Sequence, residues 1–235
     1  MTTEHSIETI LIRAARETDL AEVDRIFRLA FGTFLGLEDP STFSRGRQLA
    51  RQRWLVEPDA VPVSEFDGVL AGSNFLANWG SVAWFGPLSI HPDLWNRGIA
   101  QRLLDTTMQI FDRWGTRHSG LFTFSQSTKH VHLYQRFGFW PRFLTAIVAR
   151  EVRPDSASAD STVLSSLSEV ARLQALEACR ELSGSIYEGL DLRREIESDA
   201  DQRLGDTLLL FDGDRLEGFA VCHFGPASEA DSGAC

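Results

Sequence analysis

The sequence predicts an α/β protein whose strands and helices follow one another in the order β-α-α-β-β-β-α-β-α-β, with a partial repeat after them. Three observations carry this prediction. Ala100, Leu103, Leu104, Thr107, Met108, Phe111 and Trp114 recur at i, i+3, i+4, i+7 spacing, the period of a helix with one apolar face. Asp67-Gly68 separates two apolar runs, which is the signature of a tight hairpin. The triplet Phe-Asp-Gly stands at 66–68 and again at 211–213, each time after two helical segments.

Composition narrows the function classes. The chain has 235 residues, 43% hydrophobic and 24% charged, which is the profile of a globular protein able to bury a core. Its formal charge of −10 argues against a general affinity for nucleic acid or an anionic membrane surface, so neither is an expected partner. The charge is uneven: residues 1–150 carry 16 basic and 15 acidic side chains, and residues 151–235 carry 7 and 18. Cys179, Cys222 and Cys235 are widely spaced and form no CxxC or Cys/His cluster, so neither a disulfide framework nor a metal site is expected. The start lacks a basic and an apolar leader region, and no apolar run reaches the ~18 residues that span a bilayer. A cytoplasmic setting is expected.

Along the chain, Thr9–Arg13 reads as a strand and Glu17-Thr18-Asp19 as the start of a helix with Leu20, Val23, Ile26, Phe27, Ala30 and Phe31 on its inner face. Gly32, Gly36 and Asp39-Pro40 interrupt it, and Thr42–Leu55, with Arg45, Arg47, Arg51 and Arg53, reads as a second helix with a solvated charged face. Val61–Phe66 and Val69–Ala77 flank the Asp67-Gly68 turn. Ser81–Ile90 is a strand broken at Gly86-Pro87, where proline cannot donate to a ladder and a bulge or splay is expected. The amphipathic helix ends at Gly115. Leu121–Phe124 reads as a buried strand, Ser127 as the cap of a helix through Tyr134 to Phe137, and Phe143–Val148 as another strand.

Three regions follow: a first domain over 1–152, a small-residue polar linker over 153–163, and an acidic unit over 164–235. In the last, Leu164–Leu182 and Glu188–Leu204 read as helices and Thr207–Phe211 and Leu216–Phe224 as a hairpin about Asp212-Gly213. Phe66-Asp67-Gly68 matches Phe211-Asp212-Gly213 at an offset of 145, and Leu70-Ala71-Gly72 matches Leu216-Glu217-Gly218 at 146. The chain stops before any counterpart of 81–90, 95–100 or Tyr134, so the second copy is read as incomplete, or the chain as a piece of a longer tandem protein. The open hairpin edge near Phe224 invites pairing with the first domain or another chain, so a homodimer is an expected partner.

The segment Ile90–Leu104 leads from a strand through a short loop into a helix, with small residues at 98 and 100. Such a turn exposes the first N–H groups of a helix at the positive end of its dipole, which favours a phosphate; an ordinary strand–helix turn is the alternative. Trp95-x-x-Gly98-x-Ala100 after Ile90-His91-Pro92 resembles the Gln/Arg-x-x-Gly-x-Gly/Ala loop of the GNAT N-acetyltransferase superfamily. Leu133-Tyr134-Gln135-Arg136-Phe137-Gly138-Phe139 resembles its Leu-Tyr-x-x-x-Gly-Phe segment. The resemblance covers roughly residues 10–150.

It implies a mixed, mostly antiparallel central sheet flanked by helices, and transfer of an acetyl group from acetyl-CoA to a small-molecule or peptide amine by direct attack. Trp95, Asn96, Arg97, Gly98, Ile99 and Ala100 would cradle the CoA pyrophosphate, and the backbone of Leu88, Ser89 and Ile90 would pair with the pantetheine arm. Trp95 departs from the family's Gln or Arg and removes one side-chain contact. Tyr134 would protonate the departing thiolate as general acid, or is a packed core tyrosine; Ser127 stands where the family often has an Asn on the CoA arm, or is a helix cap. For the general base His91, Glu38, Asp39 and Glu65 remain open, with a turn role the alternative for His91. A non-catalytic acyl-CoA-binding or protein-interaction module on the same scaffold is the rival reading.

Overall fold

The structure, a computed structural model, describes residues 9–142, 144–146, 148, 161–226 and 228. Strand β1 (Ile10–Ala14) leads through a 3-10 turn at Glu17–Asp19 into helix α1 (Leu20–Leu35). Val23, Ile26, Phe27 and Ala30 are buried at the predicted spacing, and Gly36 ends the helix at φ +73, a left-handed conformation that glycine adopts without a Cβ penalty. Arg13 ties this entrance together: its Nη1 lies 2.6 Å from Asp19 Oδ2 and its Nη2 2.6 Å from Glu65 Oε1.

The second helix is shorter than expected. A 3-10 turn occupies Pro40–Thr42, and α2 runs only over Leu49–Val56. Ser44 at φ 50 and Gly46 at φ 91 are left-handed, which excludes a right-handed helix through the first half of 42–55. Buried Asp24 on α1 compensates by accepting the Ala50 N–H at 3.0 Å, fixing the start of α2.

Strands β2 (Pro62–Phe66) and β3 (Val69–Ser73) form the predicted hairpin. Asp67 at φ 49 and Gly68 at φ 81 give the two positive φ values of a type I′ turn. Strands β4 (Leu76–Trp79), β5 (Val82–Phe85) and β6 (Ser89–Ile90) follow, then helix α3 (Ile99–Trp114), strand β7 (His118–Gly120) and helix α4 (Thr128–Gln135). Two sheets result, β1-β2-β3-β6 and β4-β5-β7, so the chain changes sheet across Gly86-Pro87, a cis peptide. One apolar cluster joins Val23, Phe27, Leu49, Val63 and Phe75; a second joins Ala71, Ile90, Ile99 and Leu103 under α3.

Two expected strands are corrected. Leu121–Phe124 carries no strand; pairing stops at Gly120, and Phe122 is 68% exposed with its ring 4.6 Å from that of Trp84. Its apolar character serves a ring contact. Of Phe143–Val148, residues 143 and 147 lie outside the described residues, and 144–146 and 148 have no strand pairing, with Leu144 and Val148 exposed.

Most of the 153–163 linker lies outside the described residues, but its last two, Thr162 and Val163, form strand β8 and pair with Leu209 and Leu208. Helix α5 (Glu169–Ile186) begins after a 3-10 turn at Leu164–Ser166 instead of at Leu164, because Ser168 caps it by accepting the Ala171 N–H. Helix α6 spans Arg193–Asp201, and β9 (Gly205–Asp212) and β10 (Arg215–His223) complete a sheet in the order β10-β9-β8. Here the hairpin turn is Gly213-Asp214, not Asp212-Gly213: Asp212 pairs with Arg215, and Gly213 supplies the positive φ at the first loop position. Leu164, Leu176, Cys179, Ile196 and Leu209 form the core.

The chain divides into two compact units, residues 1–77 with 83–122, and residues 78–82 with 123–235. Within the second, Gly80 bridges Leu190, Ser81 N–H donates to Gly189 C=O at 2.9 Å, and the Trp79 indole donates to Glu195 Oε1 at 2.9 Å. No helix among the described residues is long and apolar enough to cross a membrane.

Candidate functional site

The predicted cofactor loop is built from the edge of the first sheet outward. Among the described residues strand β6 pairs on one side only, through Gly72 with Ile90 and Ser73 with Ser89, and ends the β1-β2-β3-β6 sheet. Glycine is required at 72, because a Cβ there would meet Ser89 O at 2.4 Å. The other backbone edge of β6 is the kind that an extended ligand can extend. The buried Ser89 and Ser73 hydroxyls are 3.3 Å apart, so the Ser89 side chain faces inward and only its backbone is available.

Beyond β6, His91 N–H continues the ladder to Ala71 O at 2.8 Å, while His91 Nδ1 accepts the Asp93 N–H at 3.4 Å and caps the 3-10 turn Pro92–Leu94. His91 is thus a turn element. Of the other base candidates, Glu65 is held by Arg13 and Asp39 accepts both the N–H and the hydroxyl of Ser41; Glu38 is exposed.

Trp95 does not point outward as a replacement for Gln or Arg. Its indole N–H donates to Ile90 O at 2.8 Å and its rings pack on the cluster around Ile99 and Leu103, so the side chain pins the loop to the strand it leaves. Asn96 (φ 67) and Gly98 (φ 79) are both left-handed, and between them the Arg97 guanidinium sits 5.2 Å from the Phe66 ring centroid. Phe66 has no sequence signal for this role. Ile99 is buried and anchors the first turn, Ala100 is half-buried, and Gly98 is the N-cap with no side-chain bond to the helix. The first turn carries no acidic residue, and a Cβ at Gly98 would meet nothing within 4 Å. Exposed N–H groups, the positive dipole end and open space suit an anion.

Ser127 and Tyr134 lie in the second unit. Ser127 occupies the N-cap position of α4, yet its hydroxyl makes no cap bond. Tyr134 is half-buried at the penultimate position of α4, its C=O accepts the Phe137 and Phe139 N–H groups, and burial pushes its phenol up to about 12. Among the described residues no three His, Cys, Asp or Glu side chains group as a metal would need.

Alternating strands and helices, with antiparallel sheets flanked by helices, define the class: a mixed α/β fold. Residues 23–139 match the Acetyltransferase (GNAT) family, so this part of the chain is a GNAT acetyltransferase domain. A protein of Pyrococcus horikoshii solved as a proposed acetyltransferase shares the fold at TM-score 0.60 and 16% identity, over 88% of this chain and 67% of its own. The protein PH1933 from Pyrococcus horikoshii OT3 aligns at TM-score 0.50 and 18% identity, over 59% and 94%. The search of curated proteins returns no match.

Proposed function

We propose that the chain is an N-acetyltransferase that moves an acetyl group from acetyl-CoA to an amine by direct attack. When bound, acetyl-CoA supplies the thioester carbonyl that the neutral amine attacks. The observation that carries the reading is the Trp95–Ala100 loop, with left-handed Asn96 and Gly98 opening into an uncapped α3. Its N–H groups hold the pyrophosphate, and the backbone of Leu88, Ser89 and Ile90 along the open edge of β6 receives the pantetheine arm. Tyr134 is the general acid. Its raised phenol keeps the proton at neutral pH and delivers it to the departing sulfur.

The region after 163 is read as a partial second copy. It runs β8-α5-α6-β9-β10 where the first runs β1-α1-α2-β2-β3, and in each sheet these three strands lie side by side in chain order, with β6 added to the first. Phe66 pairs with Val69 and Asp212 with Arg215, so the two hairpins correspond at a single offset of 146.

The test is calorimetric titration with acetyl-CoA, followed by thiol release across a panel of amines. Saturable binding with turnover supports the enzyme. Binding with no turnover favours the non-catalytic acyl-CoA module, which the structural engagement of His91, Asp39 and Glu65 favours. A folded chain that binds no acetyl-CoA overturns both.

A further inference from the structure

A groove between α1 and the segment leading into α2 is not used by the proposed reaction. It is open to solvent and offers about 680 Å³. Arg28 of α1 and Arg45, Arg47 and Arg51 line it against two carboxylates, Glu17 and Asp24. Both carboxylates are already engaged: buried Asp24 holds the Ala50 N–H, and Glu17 Oε1 lies 3.4 Å from Arg51 Nη1. Arg28 and Arg45 act on Asp24 and Asp39 through space and make no hydrogen bond or ion pair among the described residues.

Two further features separate this groove from a solvated charged face. Positive charge is in excess here, although the chain as a whole carries −10. The stretch bearing Arg45 and Arg47 is flanked by left-handed Ser44, a conformation that strains a non-glycine residue, and interrupted by left-handed Gly46. Held strain of this kind concentrates at binding sites. Leu20 and Ala21 give the groove an apolar wall.

We infer that this groove binds a small organic anion presenting two oxyanion oxygens, as a carboxylate or a phosphate monoester, on a short apolar body. The guanidinium fork matches paired oxygens, and the Leu20–Ala21 wall takes the body. Arg28 and Arg45 supply the free donors.

The test is calorimetric titration of the full chain with phenyl phosphate and, separately, phenylacetate at fixed ionic strength. Saturable one-site binding is expected for at least one probe, and the tighter one identifies the headgroup. The Arg28→Gln/Arg45→Gln double variant, folded by circular dichroism, should bind at least about tenfold more weakly. Arg53→Gln, on α2 but outside the groove, should bind as the unaltered chain does. Absence of saturable binding to both probes, undiminished binding by the double variant, or an equal loss in Arg53→Gln would overturn the inference.

Discussion

The indole of Trp95 donates its N–H to the carbonyl of Ile90 at 2.8 Å, closing the loop that leads into α3 on its own strand. Trp95→Phe keeps an aromatic ring against the Ile99–Leu103 cluster, gives up part of the packed area and removes the donor. It is expected to cost about 1 kcal/mol of stability and to weaken acetyl-CoA binding several-fold, read by urea unfolding and calorimetry. Unchanged affinity would mean the loop holds its shape without this bond.

Gly98 has a φ of +79 and open space where a Cβ would project. Gly98→Ala should cost about 1–2 kcal/mol through backbone strain alone. Gly98→Val adds bulk over the helix N-terminus and should reduce acetyl-CoA affinity more than Gly98→Ala, while circular dichroism remains that of the unaltered protein. Equal affinities of the two variants would place the anion elsewhere.

Tyr134 and Tyr187 are the chain's two tyrosines, so Tyr187→Phe isolates one phenol. Absorbance at the tyrosinate band should then titrate with a midpoint near 12. Because burial raises the folded value above the ordinary 10, the associated stability is fully present below pH 10 and is lost as pH rises through about 12. Tyr134→Phe should lower turnover about 100-fold with acetyl-CoA affinity unchanged; an undiminished rate would remove Tyr134 from the chemistry.

Asp24 is buried, and that burial raises its carboxyl against the opposing pull of the Ala50 N–H, Arg28 and Arg47. Its contribution is therefore full below the ordinary value of 3.8 and declines as pH rises through the folded value. Asp24→Asn keeps an acceptor for Ala50 and should match or exceed the parent's stability at neutral pH. Asp24→Ala, which strands that N–H, should lose about 1–3 kcal/mol. Thermal melts of both across pH check the pair.

Asp19 has the opposite sign. The hydrogen bond from Arg13 holds its carboxyl below the ordinary 3.8, so its stabilisation is present above that pH and is lost as pH falls through the lower folded value. Asp19→Asn should flatten the acid limb of a stability profile; a limb that keeps its slope would assign acid unfolding to other carboxylates.

Legibility in the sequence followed how local the cause was. Helix α3 was readable because Leu103, Leu104, Thr107 and Phe111 alone define a buried face. The Asp67-Gly68 turn was readable because only a few residue pairs accept two positive φ values. At 95–100 the small residues alone left an ordinary strand–helix turn open, and only the resemblance to a family loop singled the segment out. By contrast, Ser44 gives no sign in the sequence of its left-handed backbone, which is why α2 starts at Leu49 and not near Thr42. Phe122 has the composition of a core strand but meets Trp84 from an exposed position, and the aromatic partner of Arg97, Phe66, comes from a distant strand. His91 takes the turn role that a His-Pro at a strand end suggests, capping the Pro92–Leu94 turn.

The strip 78–82 gives biosynthesis an order. Its partners, from Glu188 onward, stand about a hundred positions later in the chain, with Ser81 Oγ donating to Glu188 O at a separation of 107 residues. At ~5–20 residues per second of synthesis, that strip waits on the order of 5–20 s before its ladder can close. A ribosome pause or a premature stop ahead of 188 would leave the Trp79 indole and the Ser81 backbone unmatched on a nascent chain, a recognisable substrate for a chaperone.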